Sequence, residues 1–441
     1  MSTMFGSLAV RNYRLWFGGA LVSNTGLWMQ RVAQDWLVLT QLTDDDATAL
    51  GVTMALNFGP QLLLLPITGM VADRFNRRIV LAITQTVMAL LGLGLGLLTV
   101  TGVVELWMVF CFAGGLGLTS AFDAPVRQAF VGDLVPADKL SNAVSLNSAT
   151  LNVARLIGPA VAGLLVAAVG SGWVFLINAA SFIAVLIALA LLRSSELIGM
   201  GKSKRGRGSL VEGIRYVRTR PDIVLILVIV FLLGTFGFNF SVFVATMARV
   251  EFDVGASQFG LLSSVLAVGS LTGALLSARR ERPRLRTIAI SALGFGLGLG
   301  ASAIAPNIWI FGVTLVFVGF AALTTMTTAN SYLQVTTRPT MRGRVMALYL
   351  AVFLGGTPLG APIVGWVANT FGPRWAMGVG MLAALIASGI AVLFYVRTRE
   401  VSIRWTRERR WPLRLHYGRS PTDRELATTE IAIVEAETNR G

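Results

Sequence analysis

Asp35 is the acidic residue of this chain best placed to do chemistry. Of 22 acidic residues it is the one expected well inside an apolar segment, with Asp123 expected at a helix end and the others in loops or the tail. Arg31 stands one helical turn before it, and Arg155 falls near the middle of another apolar segment. An ionisable group in hydrocarbon is expensive and marks a candidate site. Motion carrying Asp35 toward Arg155 and away again would change the charge around its carboxyl, and so release and reload a proton. Two other roles stay open at this point. One is a static ion pair between Arg31 and Asp35 at i and i+4, and the other is direct contact with a cationic substrate. No His, Cys and carboxylate cluster has metal-ligand spacing, His416 is alone in the tail and Cys111 has no partner, so no metal, cofactor or disulfide is expected. No nucleophile stands beside a base, which argues against an enzyme.

A second charged group lies in one loop, where Gly69 is followed by Asp73, Arg74, Arg77 and Arg78. Charges at the seam between two helical bundles stabilise the state in which that seam is closed. The loop resembles the signature of the major facilitator superfamily, a glycine, an acid and three bases in order. Asn76 stands where that family usually has glycine, and Asn tolerates a left-handed turn. The resemblance covers residues 10 to 395 and implies an all-helical membrane fold of twelve spans in two parallel six-helix repeats. It also implies a conformational latch, in which Asp73 caps a helix of the other half and Arg77 pairs with Asp123. The second copy keeps Arg279 and Arg280 but has Leu271 and Leu275 in place of the glycine and the acid, so such a latch is asymmetric.

Gly158, Pro159 and Gly163 are similar to an element of antiporters in the same superfamily, with Ala162 replacing one of its glycines. A proline there frees a backbone carbonyl and bends the helix, while glycines admit a close neighbour. The stretch from Phe122 to Phe130, with Leu134-Val135-Pro136 and Asn142 after it, resembles the branch that contains bacterial siderophore and macrolide exporters. The arginine that many drug antiporters carry in the fourth span is missing between Phe110 and Ser120.

Uncharged polar residues in the apolar segments are candidates for lining a substrate cavity. They are Asn24, Gln30, Gln34, Asn57, Gln61, Asn147 and Asn152 in the first half, and Asn239, Asn330, Gln334 and Tyr349 in the second, where Phe236, Phe238, Phe240 and Phe243 add aromatic surface. The lining would be amphipathic and poor in fixed charge, better suited to a moderately polar organic solute than to a sugar phosphate.

The elements that hold these residues follow from composition. The chain has 441 residues, 54% hydrophobic and 13% charged, against about 25% charged for an ordinary soluble domain. About 20 apolar residues cross the hydrocarbon of a bilayer, and roughly twelve such stretches run from one centred near Val22 to one near Ala384. Several features recur 202 residues apart: Gly92, Gly94 and Gly96 as Gly294, Gly296 and Gly298; Trp107 as Trp309; Gly158, Gly163 and Gly170 as Gly360, Gly365 and Gly372. A duplicated unit of six spans gives parallel repeats, as in many secondary transporters. The net charge of +15 sits in alternate loops, not on one face of a domain, so it signals topology and not nucleic-acid binding. Basic loops mark the cytoplasmic side and place both termini there.

The expected organisation is a six-helix bundle over 1–193, a cytoplasmic linker with an interfacial helix over 194–220, a second bundle over 221–396 and a basic, then acidic, tail over 397–441. Leu210, Ile214 and Val217 form the apolar face of the linker helix, and the linker and tail would lie on anionic lipid headgroups. Gly199 to Ser203 imitates the end of a phosphate-binding loop, but it has Glu196 where that loop needs glycine. The expectation is a monomeric, proton-coupled exporter of small amphiphilic molecules in a bacterial cytoplasmic membrane. An importer, a facilitator, or a non-transporting scaffold or sensor are the alternatives.

Overall fold

The computed structural model describes residues 3–198, 210–279, 283–399, 402–405 and 413–416. The first half contains α1 (Arg11–Leu37), α2 (Ala47–Leu63), α3 (Leu65–Arg74), α4 (Arg77–Val100), α5 (Leu106–Leu134), α6 (Ala137–Val169) and α7 (Ser171–Leu191). After α8 (Leu210–Arg218), the second half contains α9 (Pro221–Leu232), α10 (Phe240–Thr246), α11 (Ala256–Ala278), α12 (Leu285–Ala303), α13 (Ile308–Thr336), α14 (Pro339–Phe371) and α15 (Pro373–Arg399). Ten helical stretches among the described residues are long and apolar enough to cross a membrane, α9 and α10 forming one of them. The pair α2 and α3, bent by 62°, makes an eleventh. The 27-residue α1 is long enough to be the twelfth, but Arg31, Asp35 and its amides lower its hydropathy.

Capping fixes where several helices begin. The side chains of Asp46, Asn76 and Asn307 each accept two backbone N–H bonds at the starts of α2, α4 and α13, which satisfies donors that a helix start leaves free. Asn76 has φ −65°, so it does not take the left-handed turn expected of it; it replaces a turn glycine by acting as a cap.

The repeated glycines do the same work in both halves. Gly158 lets α6 approach α1, where an added Cβ would lie 2.7 Å from Trp28 Cβ, and Gly360 lets α14 meet the backbone of Thr235. Gly170 and Gly372 end α6 and α14 with φ of 88° and 99°, a conformation that favours glycine. The triplets correspond less closely, since Gly94 packs on Phe112 while its counterpart Gly296 meets Ala384 and Leu385.

The halves touch along α2 with α14 and α6 with α11. A Cβ on Gly51 would lie 2.3 Å from the carbonyl oxygen of Ala361, and one on Gly365 would lie 2.2 Å from that of Ala47. Gly163 would meet Ala256 O at 2.5 Å, and Gly260 would meet Pro159 O at 2.3 Å. These approaches fall at the end of the molecule away from α3 and the start of α9. Polar contacts reinforce the same end: Arg249 Nε lies 3.0 Å from Asp45 Oδ1, and Asn369 Nδ2 donates to Asp46 Oδ1 at 2.8 Å. At the opposite end α3, α4 and α5 pack on elements of their own half.

The linker helix α8 departs from its expected use. Val217 is buried, and Glu212 pairs with Arg344 of α14 at 3.0 Å, so the helix rests partly on protein. Gly199 to Ser203, Arg280 and most of the tail lie outside the described residues. Within the tail, β1 (Ser402–Trp405) and β2 (Leu413–His416) form an antiparallel pair, the only strands among the described residues.

Candidate functional site

A cavity of about 350 Å³ lies between the halves, and Asp35, Arg31 and Arg155 are all in its wall. α1 places Trp28, Arg31 and Asp35 along one face. The close approach at Gly158 brings α6 against this face, and the guanidiniums of Arg31 and Arg155 come to lie 5.2 and 5.0 Å from the centre of the Trp28 ring. Arg31 also lies 4.9 Å from the Phe58 ring. Asp35 is buried and forms no ion pair with Arg31, so the static pair is replaced by cation–aromatic packing. Pro159, expected in a helix that shapes a cavity, is also in the wall.

The second half supplies the rest of the lining from α11, α13, α14 and a break between α9 and α10. Leu233–Gly237 is a π-helical turn, and Phe238 leaves the helix altogether before α10 resumes. Such breaks re-aim side chains and recur at functional sites. This one turns Phe238, Phe240 and Ser241 toward the cavity, with Phe353 of α14 beside them. The ring centres of Phe238 and Phe240 are 5.5 Å apart and those of Phe238 and Phe353 are 6.0 Å apart.

Of the eleven uncharged polar candidates, Asn57 lies in this wall. Gln30 instead accepts a hydrogen bond from Asn178, joining α1 to α7 inside the first bundle. Asn24 lies beside Arg127 and Gln34 is fully buried in the same half. Asn147 is buried, Gln61 is half-buried, and Asn152 bonds back to Ser148 O one turn earlier. Asn239 donates to Thr235 O at 2.7 Å, satisfying a carbonyl of the π turn. Asn330 accepts from Gln334 on its own helix. Tyr349 is buried behind the lining, its ring parallel to that of Phe353 and its hydroxyl 3.4 Å from Met326 O. Gln30, Asn152, Asn239, Asn330 and Gln334 share a physical reason, since amides in lipid take the nearest backbone or amide partner and are drawn into helix packing, whereas both amide atoms of Gln34 are buried without a hydrogen bond. The expectation of a lining poor in charge is likewise corrected, because Arg31, Asp35 and Arg155 are part of it.

The loop after α3 is organised differently from the expected latch. Arg77 pairs with Asp133, Nη1 to Oδ1 2.7 Å, and its Nε donates to Ala72 O at 3.1 Å. Arg78 donates to Ser194 Oγ at 2.6 Å. Asp123 is not the partner of Arg77, because α5 continues through Pro125 to Leu134 and leaves Asp123 three turns inside the helix. There it is buried, pairs with Arg127 at 2.9 Å, and accepts from Thr84 Oγ1 at 2.8 Å and Gln85 Nε2 at 2.7 Å. Asp35 is therefore one of two buried carboxylates in the first half. Gly69 lies on α3, and Asp73 and Arg74 are exposed at its end, on the side where the halves part.

The family model described as "Transmembrane secretion effector" matches residues 2–417. The chain belongs to that family of major facilitator transporters. A staphyloferrin A transporter of Staphylococcus aureus is 25% identical over 395 residues, covering 89% of this chain and 97% of its own. The enterobactin exporter EntS of Shigella flexneri is 25% identical over 369 residues, 82% of this chain and 87% of its own. Among solved structures, a POT family transporter superposes with a TM-score of 0.72 at 13% identity, over 87% of this chain and 96% of that one. A bacterial homologue of the lysosomal transporter Spinster gives 0.67 at 17% identity, over 86% and 96%.

In this secretion effector, sequence reasoning missed Trp28, Phe58 and Phe353, which form much of the aromatic wall, and Arg127 and Asp133, which hold the acid and the base of the loop region. Trp28 was within reach, since it precedes Arg31 by three residues and must share its helix face. Arg127 was within reach as well, at i+4 from Asp123. Phe353 had no local signal, because a tertiary break in another helix selects it.

Proposed function

We propose that the protein is a secondary active exporter of small amphiphilic organic molecules, working by alternating access in a bacterial cytoplasmic membrane with both termini in the cytoplasm. The observation that carries this reading is the cavity between two halves that are sealed at one end by backbone contacts at glycines and parted at the end bearing α3 and the linker. Such a shape loads solute from the side of the termini. The names of the relatives, a siderophore transporter and a siderophore exporter, favour an amphiphilic metabolite and the outward direction. The two bundles, 1–193 and 221–396, rock about the seams, and the basic linker rests at the lipid headgroups. The protein acts as a monomer, since the cavity is complete within one chain.

The export is energised by the protonmotive force, and Asp35 is where a proton would enter the cycle, being the carboxylate in the cavity wall. Inverted membrane vesicles with an imposed pH gradient test this. Uptake of a solute should be lost with an uncoupler, and Asp35→Asn, which keeps the shape of Asp but cannot titrate, should bind solute yet no longer respond to the pH gradient. Wild-type accumulation by Asp35→Asn would remove the proton role from this residue, and uptake only in right-side-out vesicles would reverse the direction.

A further inference from the structure

All the charge in the cavity wall comes from the first half. Arg31 and Arg155 face one carboxylate, Asp35, which leaves a net charge of +1 when all three are ionised. Neither guanidinium has a hydrogen bond or ion pair with another described residue, and Nε of Arg31 is buried without a partner. Both instead lie against the Trp28 ring, which occupies a face of each cation and leaves the N–H edge unused. A guanidinium presents five donors in a planar fork that matches a carboxylate. Arg155 is solvent-exposed within the cavity. Across from it stand Phe238, Phe240 and Phe353. The first-half wall thus carries the cations, stacked on Trp28 and Phe58, and the second-half wall carries three phenylalanines.

We propose that Arg155, assisted by Arg31, is a carboxylate-binding subsite, and that the solute is an amphiphilic organic anion. Its acid group lies on the guanidiniums and its apolar body on the three phenylalanines. This rests on the transporter reading above and refines its energetics. Ionised Asp35 opposes an anion and protonated Asp35 does not, so protonation of Asp35 favours anion binding. The electrical part of the protonmotive force adds to the drive for export, because an anion leaves a negative interior downhill.

The test uses the purified protein with a panel of aryl and hydroxy carboxylates, each beside its uncharged carboxamide. Acids should raise the unfolding temperature and amides should not. Arg155→Gln should weaken acid binding roughly tenfold or more, the usual scale for a charged hydrogen bond, and Asp35→Asn should strengthen it. If Arg155→Gln does not fold, Arg155→Lys keeps the charge, loses the fork and should still weaken acid binding severalfold. Equal stabilisation by acid and amide, stabilisation by no acid, or indifference to both Arg155 variants overturns the subsite. In inverted vesicles, acid uptake should slow when valinomycin and potassium collapse the membrane potential. Uptake of amides in preference to acids overturns the anion inference while export stands. Binding of acids without uptake of any solute overturns the transporter reading and leaves the subsite in place.

Discussion

The most demanding residues in the first half are Asp123 and Arg127, a buried ion pair outside the cavity. Asp123 receives the Arg127 guanidinium, the Thr84 hydroxyl and the Gln85 amide, and Arg127 lies over the Trp16 ring at 5.5 Å. Removing one member of a buried pair typically costs about 3–5 kcal/mol, whereas replacing both by apolar residues is often neutral. We therefore expect Arg127→Leu to lower the unfolding temperature in detergent markedly, and Asp123→Leu with Arg127→Leu to recover most of the loss. A double variant as unstable as the single one would mean that Thr84 and Gln85, not the ion pair, hold this region. At this scale the sequence was legible where a charge interrupts an apolar run, as at Asp35 and Arg155. It was not legible for amides, whose partners are chosen by tertiary neighbours: nothing near Gln30 in the chain points to Asn178.

Among the elements, the glycine seams carry the argument that one end is sealed. Gly163→Ala places a methyl group where 2.5 Å separates its Cβ from the Ala256 carbonyl oxygen, so α6 and α11 must move apart. In a Cys111→Ser background, a cysteine at Ser263 of the cavity wall should then react faster with a membrane-impermeant thiol reagent added outside cells. Gly114→Ala, with open space around its Cβ, should leave that rate unchanged. Equal labelling in both variants would show that the seam does not seal the cavity. Helix number, order and the pairing of repeats were legible from hydropathy and from glycines at a fixed offset. The break in the seventh span had a local signal in Gly234 and Gly237, but its form was not legible, because it depends on packing against α14 at Gly356 and Gly360.

For the molecule as a whole, Asp73 and Arg74 are exposed at the end of α3. Arg77 and Arg78 tie the loop to α5 and to the end of the first half, so the loop moves with that bundle as a rigid part. Asp73→Asn should leave folding intact and shift the population further toward the state seen here, read as longer spin-label distances across the ends of α3 and α14. Unchanged distances together with unchanged flux would reduce the loop to a topology signal.

The division of the cavity wall between the two halves has a consequence for how selectivity could be altered. Its charged groups all come from α1 and α6, and three of its four phenylalanines come from α10, α14 and the break before α10, Phe58 of α2 being the fourth. If the solute is an amphiphilic anion, the duplicated copies have specialised, one for the polar head of a cargo and the other for the shape of its body. A chimera that keeps residues before the linker and borrows the second bundle from a relative should retain its taste for the head while exchanging the tail it accepts. On that reading recognition is modular, and the joint between the modules is the linker.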